Sequence, residues 1–275
     1  MTADASQQRS VARPMGTRRF GRVNWLGLQT LILREVRRFS TVWTQTVAAP
    51  MATAALFMAV FTLAIGSQRG DVMGTPFAAF LAPGIVMMTV IQNAFANTSS
   101  SIMISKVQGN IVDTLMPPLS AAELLIGYVA GGVARGTLVA LCVGLLVFPL
   151  LGLGVAQPGW ALLFILLGAT MLALVGIMAG IVAEKFDQMA AITNFVVTPL
   201  SFLSGTFYSL EALPPAMQAI SHANPVFYVI DGFRFGVLGV SDSPPALGAA
   251  VVGGVILALA LLCHRLLARG YRLKS

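Results

Sequence analysis

Apolar residues gather into six runs, near Gln45–Ile65, Phe77–Met103, Leu124–Leu153, Trp160–Ala183, Met189–Phe207 and Ala246–Leu267, and polar residues fill the short links between them. A helix needs about 20 apolar residues to cross a bilayer, so each run predicts a transmembrane helix. The third is longer, which predicts a tilt or a projection beyond the lipid. The runs do not fit a strand barrel, whose segments of about ten residues alternate in polarity.

Three stretches depart from this plain pattern. From Asn24 to Trp43, the residues Trp25, Leu28, Ile32, Val36, Phe39 and Trp43 recur at helical spacing, while Arg34, Arg37 and Arg38 fall on another side. That predicts an amphipathic helix over 24–43 lying in the interface, aromatics toward the acyl chains and arginines toward phosphate, with Asn24 as N-cap. A basic flank of the first span is the plainer reading. In the second stretch, about 105–120, Ile111, Leu115 and Leu119 share a helical face until Pro117-Pro118 ends it. Ser120 and Glu123 then form an S-x-x-E capping box that opens the third span. The third stretch, Thr198 to Gly236, is aromatic but broken by Pro199, Pro214, Pro215 and Pro225 and interrupted by Glu211, Asp231 and Arg234. Irregular backbone in lipid requires protein or water to satisfy it. A structured cap over about 205–240 is therefore expected at one membrane face, with a simple loop as the alternative.

Composition fixes the class. At 57% hydrophobic and 10% charged, the chain lies far from the ~25% charge of soluble domains, and it reads as an integral membrane protein. Its net charge of +7 does not point to nucleic acid, because the basic residues crowd beside the spans, where they meet anionic lipid headgroups. Fourteen of the 17 Lys and Arg fall in the N-terminal region, the links after spans two and four, and the C-terminal end. The positive-inside rule then places both termini in the cytoplasm and the cap outside. Residues 1–23 lack the apolar core of a signal peptide and read as a disordered basic cytoplasmic tail. Cys142 and Cys263 sit inside apolar runs and suggest inert core residues.

Candidate chemistry is sparse. None of Lys106, Lys185 and Lys274 follows a glycine, so the chain holds no G-x-x-x-x-G-K-[ST] loop for ATP, and it shows no H-E-x-x-H or G-x-S-x-G. No catalytic residue, metal site or cofactor is expected. Two polar stripes stand out: Thr89, Asn93 and Asn97 in span two, with Gln92 and Ser99 nearby, and Asn194, Thr198, Ser201 and Gly205 in span five. Each either bonds a neighbouring helix or lines a path for a substrate. Arg135 lies inside span three, where a charge is costly. It either snorkels to headgroups, pairs with Glu184 or Asp187, or meets an anionic substrate. Gly127/Gly131, Gly132/Gly136 and Gly176/Gly180 are close-packing pairs, within the chain or between copies.

The sequence resembles a family through GNIVDTLMPPLSAAELLIG (109–127), AEKFDQ (183–188), PLSFLSGTFY (199–208), Leu213-Pro214 and NPVFYVIDGFR (224–234), in that order. It is similar to the ABC-2-type transporter permeases, membrane subunits of bacterial exporters for polysaccharides, lipids, modified oligosaccharides and drugs. The resemblance implies an all-α membrane protein of six spans with an N-terminal interfacial helix and short re-entrant outer helices between spans five and six. It also implies a dimer of permeases in the bacterial plasma (inner) membrane, bound to two copies of a separate ATPase subunit that carries the ATP and Mg. Carried over by position, Gly109, Ile111, Asp113 and Leu115 correspond to the coupling helix docking on that ATPase, with Arg34 and Arg38 at a second contact. The resemblance favours a path along the two polar stripes and allows Tyr208, Asn224, Phe227, Tyr228 and Arg234 a gating role in the cap. The competing reading is an ion-coupled secondary transporter working through Arg135, Glu184 and Asp187. Their position at a cytoplasmic span end, away from the midplane where such carriers bind ions, counts against it.

Overall fold

The computed structural model describes residues 23–64, 70–115, 117–210 and 213–272. The basic tail, Arg69, Glu211 and the side chain of Leu115 lie outside the described residues. The fold is helical throughout these segments: α1 (Trp25–Thr41), α2 (Ala49–Ala64), α3 (Phe77–Val107), α4 (Ile111–Leu115), α5 (Ala121–Leu150), α6 (Pro158–Val182), α7 (Phe186–Ile192), α8 (Thr198–Phe202), α9 (Pro215–Ala223), α10 (Pro225–Leu238) and α11 (Pro245–Arg269). A π-helical turn, Thr44–Ala48, leads into α2, and a second, Thr193–Val197, joins α7 to α8.

Among the described residues, five helices are long and apolar enough to cross a membrane: Thr44–Ala64, Phe77–Val107, Ala121–Leu150, Pro158–Val182 and Pro245–Arg269. The fifth predicted span is the exception. It forms a shorter run over 186–202, starting three residues before Met189 and ending five before Phe207. Beyond Phe202 the Ser201 carbonyl accepts the Ser204 and Thr206 hydroxyls, and Gly205 takes a left-handed φ of 73°. That conformation favours glycine and ends the helix there.

α3 is the axis of the molecule, and α6 lies along it through glycines. A Cβ at Gly176 would fall 2.5 Å from the Phe95 carbonyl, and one at Gly180 would fall 2.9 Å from the Ile102 Cβ. The closeness lets the Thr98 hydroxyl reach the Ala173 carbonyl at 2.8 Å. Gly132 and Gly136 seat Ala173 and Ala169 in the same way, whereas Gly127 and Gly131 receive Leu31 and Glu35 of α1. All three glycine pairs therefore pack within the chain. Lys106 closes the α4 end of this core, its ammonium donating to the Gly180, Ile181 and Ala183 carbonyls at 3.2, 2.8 and 2.6 Å. These are carbonyls that the end of α6 leaves without helical partners, at the negative end of its dipole.

The expected caps form. Asn24 Oδ1 accepts the Gly27 N–H at 3.0 Å. Ser120 Oγ accepts the Glu123 N–H at 3.3 Å, and Glu123 returns the bond to the Ser120 N–H at 2.6 Å. The other Glu123 oxygen accepts the Asn24 N–H, so one carboxylate ties the start of α1 to the start of α5.

Candidate functional site

α1 buries only part of its apolar pattern against the protein. Its buried stripe is Leu28, Leu31, Glu35 and Phe39, whereas Trp25 and Trp43 are 66% and 62% exposed. Two apolar stripes overlap on this helix, and the flat surface offered by Gly127 and Gly131 accepts Leu31 and Glu35, leaving the tryptophans outward. Arg34 and Arg38, still partly open, reach residues of neighbouring helices.

Glu35, fully buried, is the hub of that contact. Its Oε1 accepts Arg34 Nη2 at 3.2 Å and Ser101 Oγ at 2.8 Å, and its Oε2 accepts Arg38 Nη2 at 3.1 Å. Arg38 continues to the Asn97 carbonyl at 2.7 Å, Asn97 Oδ1 at 3.0 Å and Ser100 Oγ at 3.2 Å, all on α3. Arg34 reaches Thr114 of α4 at 2.9 Å and the Tyr128 hydroxyl of α5 at 3.4 Å. Burial works to lower the Arg34 pKa, but the Tyr128 and Glu35 oxygens outweigh it and hold the guanidinium above its ordinary value. α1, α3 and α5 thus meet on one buried carboxylate, and Arg34 extends the network to α4. Glu35 was not singled out from the sequence. Its signal was there: an acid amid Arg34, Arg37 and Arg38, spaced from Leu28, Leu31 and Phe39 as the next member of an apolar stripe.

Beside this hub opens a cleft of about 410 Å³ bounded by Arg34, Arg37, Arg38, Ser105, Asn110 and Asp113. α4 forms its lip. Gly109, with φ at 72°, turns the chain out of α3, Ile111 anchors α4 against Leu125 and Tyr128, and Asp113 is exposed. Within the 105–120 link, 105–107 are the end of α3, and the only separate helix among the described residues is the five-residue α4.

A second hollow, about 400 Å³, lies between α3 and the 186–202 run. Gln92, Asn93, Ser99 and Ser100 supply its polar wall, and Phe95, Met103, Phe186, Met189 and Val197 its apolar one, with Thr193 and Thr198 opposite. Of the sequence stripes, only Asn93 and Thr198 line it. Thr89 is buried and bonds the Val86 carbonyl, Asn97 is buried on Arg38, Ser201 is buried on the Val197 carbonyl, and Asn194 is exposed outside the hollow. The lining face of α3 is rotated from the stripe toward Gln92, Ala96, Ser99 and Met103. Ser100 belongs to both places, since it lines this groove and accepts from Arg38 of the cleft.

Arg135 donates through Nε and Nη2 to Asn93 Oδ1, at 3.2 and 3.0 Å. The pairing with Glu184 or Asp187 does not form: Glu184 instead lies 3.6 Å from Arg272 in an exposed ion pair, and Asp187 is exposed at the start of α7.

The cap is closed by a buried charge knot. Arg234 is fully buried, its Nη2 donating to the Gly205 carbonyl at 2.6 Å and its guanidinium 3.9 Å above the Phe80 ring. Nη1 stands 3.7 Å from Asp231 and 3.8 Å from Asp242. Asp231 in turn accepts the Asp242 and Ser243 N–H groups at 2.8 and 2.9 Å. Asn224 caps α10, accepting from the Val226 N–H and donating to the Leu200 carbonyl, while Phe227 and Tyr228 pack edge-on beside His222. Tyr208 lies in the irregular stretch before α9, and Phe207 joins Phe57, Phe61 and Phe202 in an aromatic cluster against α2.

These features fall within a region with known relatives. Residues 27–238 match the family model for the ABC-2 type transporter. Over 251 residues, 91% of this chain and 98% of the relative, the sequence is 39% identical to the inner membrane transport permease YadH of Escherichia coli K12. It is 26% identical over 213 residues to nodulation protein J of Neorhizobium galegae, covering 74% of this chain and 79% of that one. Nodulation protein J of Sinorhizobium fredii is 26% identical over 202 residues, 72% of each chain. With a family model spanning α1 to α10 and a relative matched almost end to end, this multi-pass helical chain belongs to the ABC-2 type transporter family.

Proposed function

We propose that the chain is the membrane subunit of an inner-membrane ABC exporter, in which a separate ATPase docks at the α1–α4 cleft and drives a lipid, glycan or hydrophobic compound along the groove beside α3. The 186–202 run completes a six-helix bundle, and two copies of the chain face each other across the path. Both termini lie in the cytoplasm, because the α4 end carries Arg34, Arg37, Arg38, Lys106, Lys185, Arg265, Arg269 and Arg272, and the cap end among the described residues carries Arg234 alone. Asp113 and the arginines of the cleft are the docking contacts, α4 is the coupling helix, and the α9–α10 segment is the outer gate.

The observation that carries this reading is the connection through Arg38. It faces the cleft and bonds Asn97 and Ser100 on α3, and Ser100 faces the groove. A displacement of α1 or α4 by a closing ATPase dimer is therefore delivered to the groove wall through short polar contacts. The expected route is two-state: nucleotide closure moves the α1–α4 lip, Arg38 follows Glu35, and α3 shifts against the 186–202 run.

Co-purification tests it. The tagged chain, extracted gently from its native membrane, is expected to bring a P-loop protein at equal stoichiometry, and Asp113→Arg is expected to reduce that yield or the ATPase rate. A chain that comes away alone and transports on an ion gradient would overturn the reading.

A further inference from the structure

Arg135, inside α5, has no counterion among the described residues. It sits fourteen residues into α5, about 21 Å along the helix axis from the start of that helix. Its one hydrogen-bond acceptor among the described residues is the neutral Asn93 Oδ1. No carboxylate of the described residues lies within ion-pair distance. The contrast with Arg34 and Arg38 is direct: both of those have Glu35. Arg135 is half-buried, and a charge taken even partly out of water is normally paired.

Asn93 also lines the groove beside α3, together with Gln92, Ser99 and Ser100, while Phe186 and Met189 supply apolar wall. The same wall thus offers amide and hydroxyl donors backed by an uncompensated guanidinium, and the facing wall offers a surface for hydrocarbon. Resting on the transporter reading above, we propose that the groove takes an amphipathic anion, a phosphate or carboxylate head on an apolar body, whose head replaces Asn93 as the acceptor for Arg135. Arg suits this role, because its planar fork pairs a phosphate or carboxylate through two parallel bonds and stays charged when desolvated.

The probe is radiolabelled dodecyl phosphate, bound at equilibrium to the purified complex in dodecyl maltoside, with inorganic phosphate as competitor. Saturable binding is expected, little displaced by inorganic phosphate, and at least tenfold weaker in both Arg135→Gln and Gln92→Glu. The second variant keeps Arg135 in place and puts a competing carboxylate in the groove, so it serves where the first fails to fold. Arg135→Lys is expected to retain part of the affinity. Unchanged affinity in the folded variants overturns the inference, and equal displacement by inorganic phosphate overturns its amphipathic part. The ATPase partner is quantified in the same preparation. If it is present while the variants bind normally, the anionic-substrate inference fails and the transporter reading stands; if it is missing from the parent preparation, the substrate role falls with that reading.

Discussion

Replacing Glu35 with alanine removes the acceptor shared by Arg34, Arg38 and Ser101. Hydrogen bonds to a charged group contribute about 1.5–3 kcal/mol each, and stranding the partner of a buried pair costs about 3–5 kcal/mol. Both arginines are partly open, at 44% and 30% side-chain exposure, and keep bonds to Thr114, Asn97 and Ser100, so water and those bonds recover much of the loss. The net effect should be about 2–4 kcal/mol, concentrated on α1, because the α3–α6 core does not depend on this carboxylate. At about 1.4 kcal/mol per tenfold, amide exchange through local opening of 28–39 should accelerate about 30-fold to several-hundred-fold. Hydrogen exchange by mass spectrometry in neutral detergent reads this directly, with peptides from α3 and α6 as internal controls. Glu35→Gln, which can still accept from Ser101, should show a smaller change. If α1 exchanges in Glu35→Ala as it does in the parent, the carboxylate is not what holds the helix.

Four further outcomes follow from the packing. Gly236→Ala places a Cβ 2.4 Å from the Ala161 backbone nitrogen, which cannot yield as a side chain would; a loss of about 1–3 kcal/mol should appear as a lowered thermal midpoint. Arg234→Met strands Asp231 and Asp242 in the cap at a cost of about 3–5 kcal/mol, and adding Asp242→Asn should restore part of the midpoint. Ser120→Ala removes one half of the capping box, for a loss of about 1 kcal/mol. Asp113→Arg, at an exposed position, should leave the midpoint unchanged while lowering the ATPase rate of the assembled complex.

The long runs, the Asn24 cap and the Ser120–Glu123 box were legible because hydropathy and cap chemistry are local properties. The stripe of α1 that packs on the protein was not, since Trp25 and Trp43 fit one stripe as well as Leu31 and Phe39 fit another, and the choice is made by glycines a hundred residues away on α5. Hydropathy carried the fifth run on to Phe207, but Gly205 turns there and its carbonyl is taken by Arg234 from α10. Of the span-two polar residues, Asn93 and its neighbours Gln92 and Ser99 line the groove, whereas Thr89 and Asn97 at the same helical spacing are buried by the packing of α3. For Arg135, charge alone left headgroups, a carboxylate or an anionic substrate open, and of the carboxylates Glu184 belongs to Arg272 at the chain end. The partner Asn93 was visible only as one member of a polar stripe.

The most direct measurement is the maleimide labelling rate of Ser99→Cys, in a chain whose Cys142 and Cys263 have been replaced, with its ATPase bound and in the presence or absence of ATP and vanadate. If force passes from the cleft to the groove through Arg38, nucleotide trapping should change the rate severalfold, and Arg38→Ala should abolish that change without abolishing hydrolysis. A rate indifferent to nucleotide in the parent, or a nucleotide response that survives Arg38→Ala intact, would contradict the account.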